Sequence, residues 1–248
     1  MKVKYINYYS VTSTNDIAFN EIKKINEINS PIVITSNIQT NGRGRNNKVW
    51  FNGSSNLYYS FAIKHNTNSL PMYYMQIIGG LAVYNILSEL IDENVLRLKY
   101  PNDIYVLANG SKKIAGVITE HFYSYNEICT SIIGVGINNK ESTFPTDLNA
   151  ISLYNLNLDI SNSSLTKLLS DNIIKLIKSD KDMILGIWKS KLNLTNKNIS
   201  IIDNKTQSII ASDIKLESIL SDCRLLVIDS NNNVRIIDNG DSIRYDLE

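Results

Sequence analysis

The sequence predicts an α/β (α+β) chain in two parts, a mixed strand-and-helix segment over residues 1–194 and a small all-β segment over residues 195–248. Three observations carry this expectation. At 248 residues the chain is long enough for one large domain plus a small one. Its first three-quarters mixes short Ile/Val-rich runs with stretches of helical period. Its character changes near Leu194, and from Asn198 onward short Ile/Val runs recur about every ten residues between Asn/Asp/Ser clusters.

Taken in order, Val3 to Tyr9 reads as a strand. Thr14 to Ile28 places Ile17, Ala18, Ile22, Ile25 and Ile28 on one helical face, with Ser13 at the capping position. Ile32 to Thr35 is a buried-type strand that runs into a polar, glycine-bearing loop over residues 37–48, and Leu57 to Ile63 is a second strand. Pro71 to Ile91 reads as a long buried helix with proline in its first turn. Val95–Lys99, Ile104–Leu107, Ile114–Glu120 and Ile128–Ile137 read as strands, with Asn109-Gly110 as a hairpin turn. Leu165 to Ile177 and Met183 to Leu192 read as helices. The tail of roughly 50 residues holds only a thin core and is expected to lean on the larger part.

Composition removes several classes of function. Lys plus Arg number 25 against 24 Asp plus Glu, so the basic excess of a nucleic-acid binder is missing overall. Two cysteines and two histidines, widely separated, offer no metal cage and fit a reducing, cytoplasmic setting. No signal-peptide core opens the sequence, and no apolar run reaches the roughly 18–20 residues of a membrane span. Asn and Ile together exceed a quarter of the chain, which blurs every local pattern.

Against that neutral background one loop stands out. Gln39-Thr40-Asn41-Gly42-Arg43-Gly44-Arg45-Asn46-Asn47-Lys48-Val49-Trp50 gathers three cations and two glycines. Glycines let backbone N–H groups approach an anion, and Arg forks bind carboxylate or phosphate. A solvated surface loop or an RNA contact is the alternative. Three further segments are each ambiguous alone. Lys99-Tyr100-Pro101-Asn102-Asp103 also reads as a plain turn, and Lys113-Ile114-Ala115-Gly116 as a strand start. Gly134-Val135-Gly136-Ile137-Asn138 lacks the third glycine and following helix of a dinucleotide site.

Their order and spacing together, with Ser13-Thr14-Asn15, resemble the biotin–protein ligases over about residues 5 to 140. The resemblance implies a class II synthetase/lipoate-ligase-like catalytic domain with a mixed sheet, followed by an SH3-like β-barrel. It implies activation of biotin by ATP and Mg²⁺ to biotinyl-5′-AMP, then transfer to a lysine of the biotin carboxyl carrier domain of a carboxylase. Carried over to this chain, Ser13, Thr14, Asn15, Gln39, Arg43, Gly44, Arg45, Lys113 and Gly116 would contact biotin. Arg43, Trp50, Lys99, Asn102, Asp103 and Asn138 would lie on the nucleotide side, with Trp50 stacked on adenine. Lys113 and Arg45 would carry the chemistry, and no metal ligands are assigned beyond Mg²⁺ arriving with ATP.

Lys48 stands where the family commonly has arginine, and Tyr100 replaces the usual tryptophan. Arg244, after Gly240-Asp241, resembles a C-terminal arginine that reaches ATP in some members. The resemblance starts too near Met1 for a DNA-binding segment, so no DNA partner is expected, nor a membrane. A homodimer is left open. The competing readings are a lipoate or octanoate ligase and, more distantly, a non-enzymatic RNA-binding module.

Overall fold

The computed structural model describes residues 1–53, 55–124, 127–195, 197–203, 206–238 and 240–247. Seven strands form the main sheet: β1 (Lys4–Val11), β2 (Ile32–Gln39), β3 (Leu57–Asn66), β4 (Leu96–Lys99), β5 (Asp103–Leu107), β6 (Ser111–Tyr123) and β7 (Ile128–Ile137). Their order is β1-β2-β3-β7-β6-β5-β4, with β1 parallel to β2 and every other pair antiparallel. The β5–β6 hairpin turns through Asn109 and Gly110 at φ 51° and 92°, the left-handed pair that the Asn-Gly dipeptide predicts.

Both faces of this sheet are covered, so its central strands are nearly continuous apolar runs rather than alternating ones. On one face α1 (Thr14–Lys23) buries Ala18 and Ile22 against Ile32, Ile34, Ala62 and Ile132. On the other lies α2 (Met72–Ser88), which is apolar nearly all round because α3 (Asn162–Lys178) and α4 (Lys181–Leu192) pack over it. Pro71 is the N-cap of α2, one residue earlier than a first-turn position.

Helix α1 is shorter than its periodicity suggests. It ends at Lys23, Asn29 turns the chain at φ 59°, and Ile28 is left exposed. The backbone N–H of Asn29 donates to Lys64 O at 2.8 Å, and Lys64 Nζ returns a bond to Ile25 O. Pro31 then forces the extended entry to β2.

The tail forms β8 (Ile199–Ile202), β9 (Ile209–Ile219), β10 (Leu225–Ile228), β11 (Val234–Ile237) and β12 (Ile243–Arg244), an antiparallel sheet in the order β11-β10-β9-β8-β12. The breaks expected at Asn204 and Asn239 fall outside the described residues. As expected of so thin a layer, it shares one core with the main sheet through Ile199, Ile214, Leu225 and Ile243. The Tyr100–Pro101 turn is the seam. Tyr100 Oη donates to Cys223 O at 3.2 Å, Tyr245 Oη accepts from Tyr100 N at 2.7 Å, and Trp188 Nε1 donates to Pro101 O at 3.0 Å.

The chain's two histidines meet across the sheet. His65 Nε2 and His121 Nδ1 lie 2.7 and 2.8 Å from the same Ser131 hydroxyl. Burial lowers the pKa of both, and the neighbouring His65 helps to push His121 down to about 4. The unfolded chain therefore binds protons that the folded chain refuses, so stability should fall as pH drops below about 6.5. Thermal midpoints measured from about pH 7 to pH 4 should show this slope, and His121→Gln should flatten it. A slope unaltered in that variant would count against the assignment.

Candidate active site

The face of β7 that carries Ile132 under α1 continues, two residues at a time, through Gly134 and Gly136. Beyond α1 that face is not filled by a helix, and a cavity of about 530 Å³ opens over it. The residue loop 40–53, the β4–β5 turn and the tail from Gly240 to Leu247 supply its other walls.

The floor is made by glycine. Gly116 on β6 pairs directly with Gly136 on β7, and the Trp50 ring lies over both. A Cβ on Gly136 would fall 2.4 Å from the indole, and one on Gly116 2.7 Å from it. Trp50 is thus placed in the cavity as a flat aromatic surface, and its buried Nε1 has no hydrogen-bond partner among the described residues. An orphaned buried donor is costly to leave without a partner.

One wall is neutral and polar. Ser13 sits at the N-cap of α1, but its side chain makes no capping bond, so the cap read from the sequence is positional only. Its buried hydroxyl is part of the cavity lining instead. The Thr14 N–H and hydroxyl both donate to Gln39 Oε1, at 2.9 and 3.2 Å. That leaves Gln39 Nε2 as the group to offer to a ligand. Asn15 completes the wall, with its amide over Gly134, where a Cβ would come within 2.4 Å of Asn15 Oδ1.

The opposite end is cationic. Arg45, Lys48, Lys99, Lys113 and Arg244 line it against the carboxylates Asp103 and Asp241, while Arg43 lies beside the polar wall, in a chain whose net charge is only +1. Lys113 Nζ pairs with Asp103 Oδ2 at 2.7 Å and lies 5.4 Å from the Trp50 ring centre. Burial lowers the pKa of Lys99, reinforced by the nearby Arg244, with Asp103 opposing. The glycine-bearing loop is not the open coil its composition suggests. Trp50 N donates to Gly42 O at 2.9 Å, Gly44 N donates to Lys48 O at 2.7 Å, and Arg43 bridges Val49.

The two loop arginines take different partners. Arg43 forks onto Asp16 at 2.6 and 2.8 Å, which raises its pKa further, with Glu120 3.6 Å away. Arg45 and Lys48 reach Asp241 of the tail at 3.6 and 2.8 Å. Burial pushes the Asp241 carboxyl up, but Lys48, Arg45 and Lys113 outweigh it and hold it below the usual range.

Every residue singled out from the sequence lines this cavity except Asn102. Its side chain is buried, and its Nδ2 donates to Val117 O at 2.7 Å, so it braces the β4–β5 turn instead. Asn138 lines the cavity, and its Nδ2 also ties Lys113 O to Ile151 O, both at 3.2 Å. The sequence reading missed Asp16, Glu120 and Asp241, whose signal was only their neighbourhood to motifs. It also missed the segment 144–150 beside Lys113, which has no motif. Among the described residues no group of three or more His, Cys, Asp or Glu is placed to hold a metal ion.

The family model described as biotin/lipoate A/B protein ligase matches residues 8–138. Biotin–protein ligase 2 of Arabidopsis thaliana is 30% identical over 150 residues, covering 57% of this chain and 42% of that protein. The bifunctional ligase/repressor BirA of Bacillus subtilis is 28% identical over 152 residues, 60% of this chain and 45% of that one. The chain thus matches less than half the length of these curated relatives. The biotin protein ligase of Aquifex aeolicus, solved in complex with biotin and ATP, superposes with a TM-score of 0.70 at 23% identity, over 98% of this chain and 99% of that one.

Proposed function

This chain belongs to the biotin/lipoate A/B protein ligase family, and from that premise we propose that it is an ATP-dependent biotin–protein ligase. The observation that carries the reading is the cavity's division into a neutral polar wall and a cationic end that includes Lys113. Ser13, Gln39 and Asn15 offer donors suited to a polar ring bearing a carbonyl. A dithiolane or a plain alkyl chain would leave those groups unpaired, which disfavours lipoate and octanoate. A solved relative's name, with bound biotin and ATP, agrees with this pairing.

In the first half-reaction a biotin carboxylate oxygen attacks the α-phosphorus of ATP, and pyrophosphate leaves. Both reactants are anions, so positive charge must be in place before they meet. Lys113 and Arg45 supply it, Lys99 and Arg244 take further phosphate charge, and Trp50 gives adenine a stacking surface. Arg43 and Gly44 shape the loop over the ligand, while Gly116 leaves room for the Trp50 ring. Mg²⁺ would be held chiefly by the phosphates plus one or two carboxylates, and Asp103 and Asp241 are the carboxylates of the cavity lining. When bound it screens the leaving pyrophosphate.

In the second half-reaction a lysine amine of a biotin carboxyl carrier domain attacks the acyl carbon, forming an amide and releasing AMP. The loop excludes water from the adenylate until then. We assign the catalytic part to residues 1–194 and an SH3-like supporting part to 195–248, in a cytoplasmic protein. ATP–pyrophosphate exchange with biotin, lipoate, octanoate and no acid tests the reading. Exchange with biotin alone is expected. Exchange with lipoate would transfer the chain to the sister activity, and silence with every acid would end the enzyme reading.

A further inference from the structure

Behind the neutral wall lies a carboxylate that does not itself line the cavity. Glu120 Oε2 accepts from Asn15 Nδ2 at 2.7 Å, and Glu120 Oε1 lies 3.6 Å from Arg43 Nη2. Asn15 has no choice of orientation. Its Oδ1 accepts from Ser60 Oγ at 2.6 Å, its Nδ2 faces Glu120, and Gly134 closes the space beneath. Arg43 is in turn forked onto Asp16, the residue after Asn15. One carboxylate therefore joins the first turn of α1 to the glycine-bearing loop across β6.

We infer that Glu120 is a positioning residue for biotin binding: it fixes the amide of Asn15 and draws Arg43 and its loop against that wall. The chemistry requires an acid at this place. Each Glu120 oxygen faces a donor, Asn15 Nδ2 on one side and the Arg43 guanidinium on the other. An amide offers one oxygen and one NH₂, so either orientation of a glutamine sets a donor against a donor. Aspartate keeps both acceptors on a side chain shorter by one methylene. The inference rests on the reading of this cavity as a biotin site.

The discriminating experiment is calorimetric titration of biotin into wild type, Glu120→Gln and Glu120→Asp, with thermal midpoints recorded for all three. Glu120→Gln should weaken biotin binding by about tenfold or more, while Glu120→Asp retains more of the affinity. A residue that merely filled space would give the opposite order, because glutamine is the closer match in volume. Glutamine equal to or better than aspartate would overturn the inference. So would loss of folding in both variants, which would make Glu120 structural. Wild type silent toward biotin would remove the biotin reading itself, a result distinct from a binding wild type with the wrong variant order.

Discussion

Replacing Lys113 by alanine should lower biotin-dependent ATP–pyrophosphate exchange by roughly 100–1,000-fold and leave the protein folded. The side chain is 28% exposed and stands on the cavity edge of β6, so its loss opens no hole in the core. What disappears is a positive charge of the cavity lining, beside Trp50, that the proposed reaction needs. Asp103 then faces the reacting anions without its partner at 2.7 Å. Two like-charged reactants and a bared carboxylate raise the barrier together, which places the loss in the rate of adenylation more than in biotin affinity. Lys113→Arg should recover part of the rate, because it restores charge with a different shape. An alanine variant with normal exchange would remove Lys113 from the mechanism, and one that failed to fold would make it structural.

The second large effect is on stability. Trp188→Ala should destabilise the protein by about 3–5 kcal/mol, read by chemical denaturation. Trp188 on α4 is fully buried, and its Nε1 donates to Pro101 O. Truncation leaves a large cavity under α2 and strands that carbonyl without a partner. Because Pro101 adjoins Tyr100, whose hydroxyl bonds the tail at Cys223 O, the change also loosens the seam between the two sheets. A cost below about 1 kcal/mol would mean that the core repacks freely around the gap.

The elements of the main sheet were legible because its strands and helices obey distinct periods and end at recognisable residues. Asn109-Gly110 announced its hairpin through the only backbone conformation that suits it. The end of α1 was not legible, since Ile25 and Ile28 keep the helical period while tertiary bonds from Lys64 and the entry of Pro31 stop the helix. The same division holds in the cavity. That residues inside ordered motifs share one cavity was readable, because the motif carries their context. Asn102 does not line the cavity, because a turn residue's side chain can face either way and only packing decides. Asp16, Glu120 and Asp241 were invisible as a set. They lie 104 and 121 residues apart along the chain, and single carboxylates carry no signature until the fold brings them against arginine.

The chain contains two tryptophans, and the fold gives them opposite surroundings. Trp188 is sealed in the core, whereas Trp50 lies on the glycine floor of the cavity with an indole N–H that has no partner among the described residues. Any molecule that settles on that floor must displace the Trp50 ring or stack upon it. Optically, then, the protein should come already labelled: Trp188 is expected to give a steady baseline, and Trp50 to change its emission when the cavity fills, without any added dye.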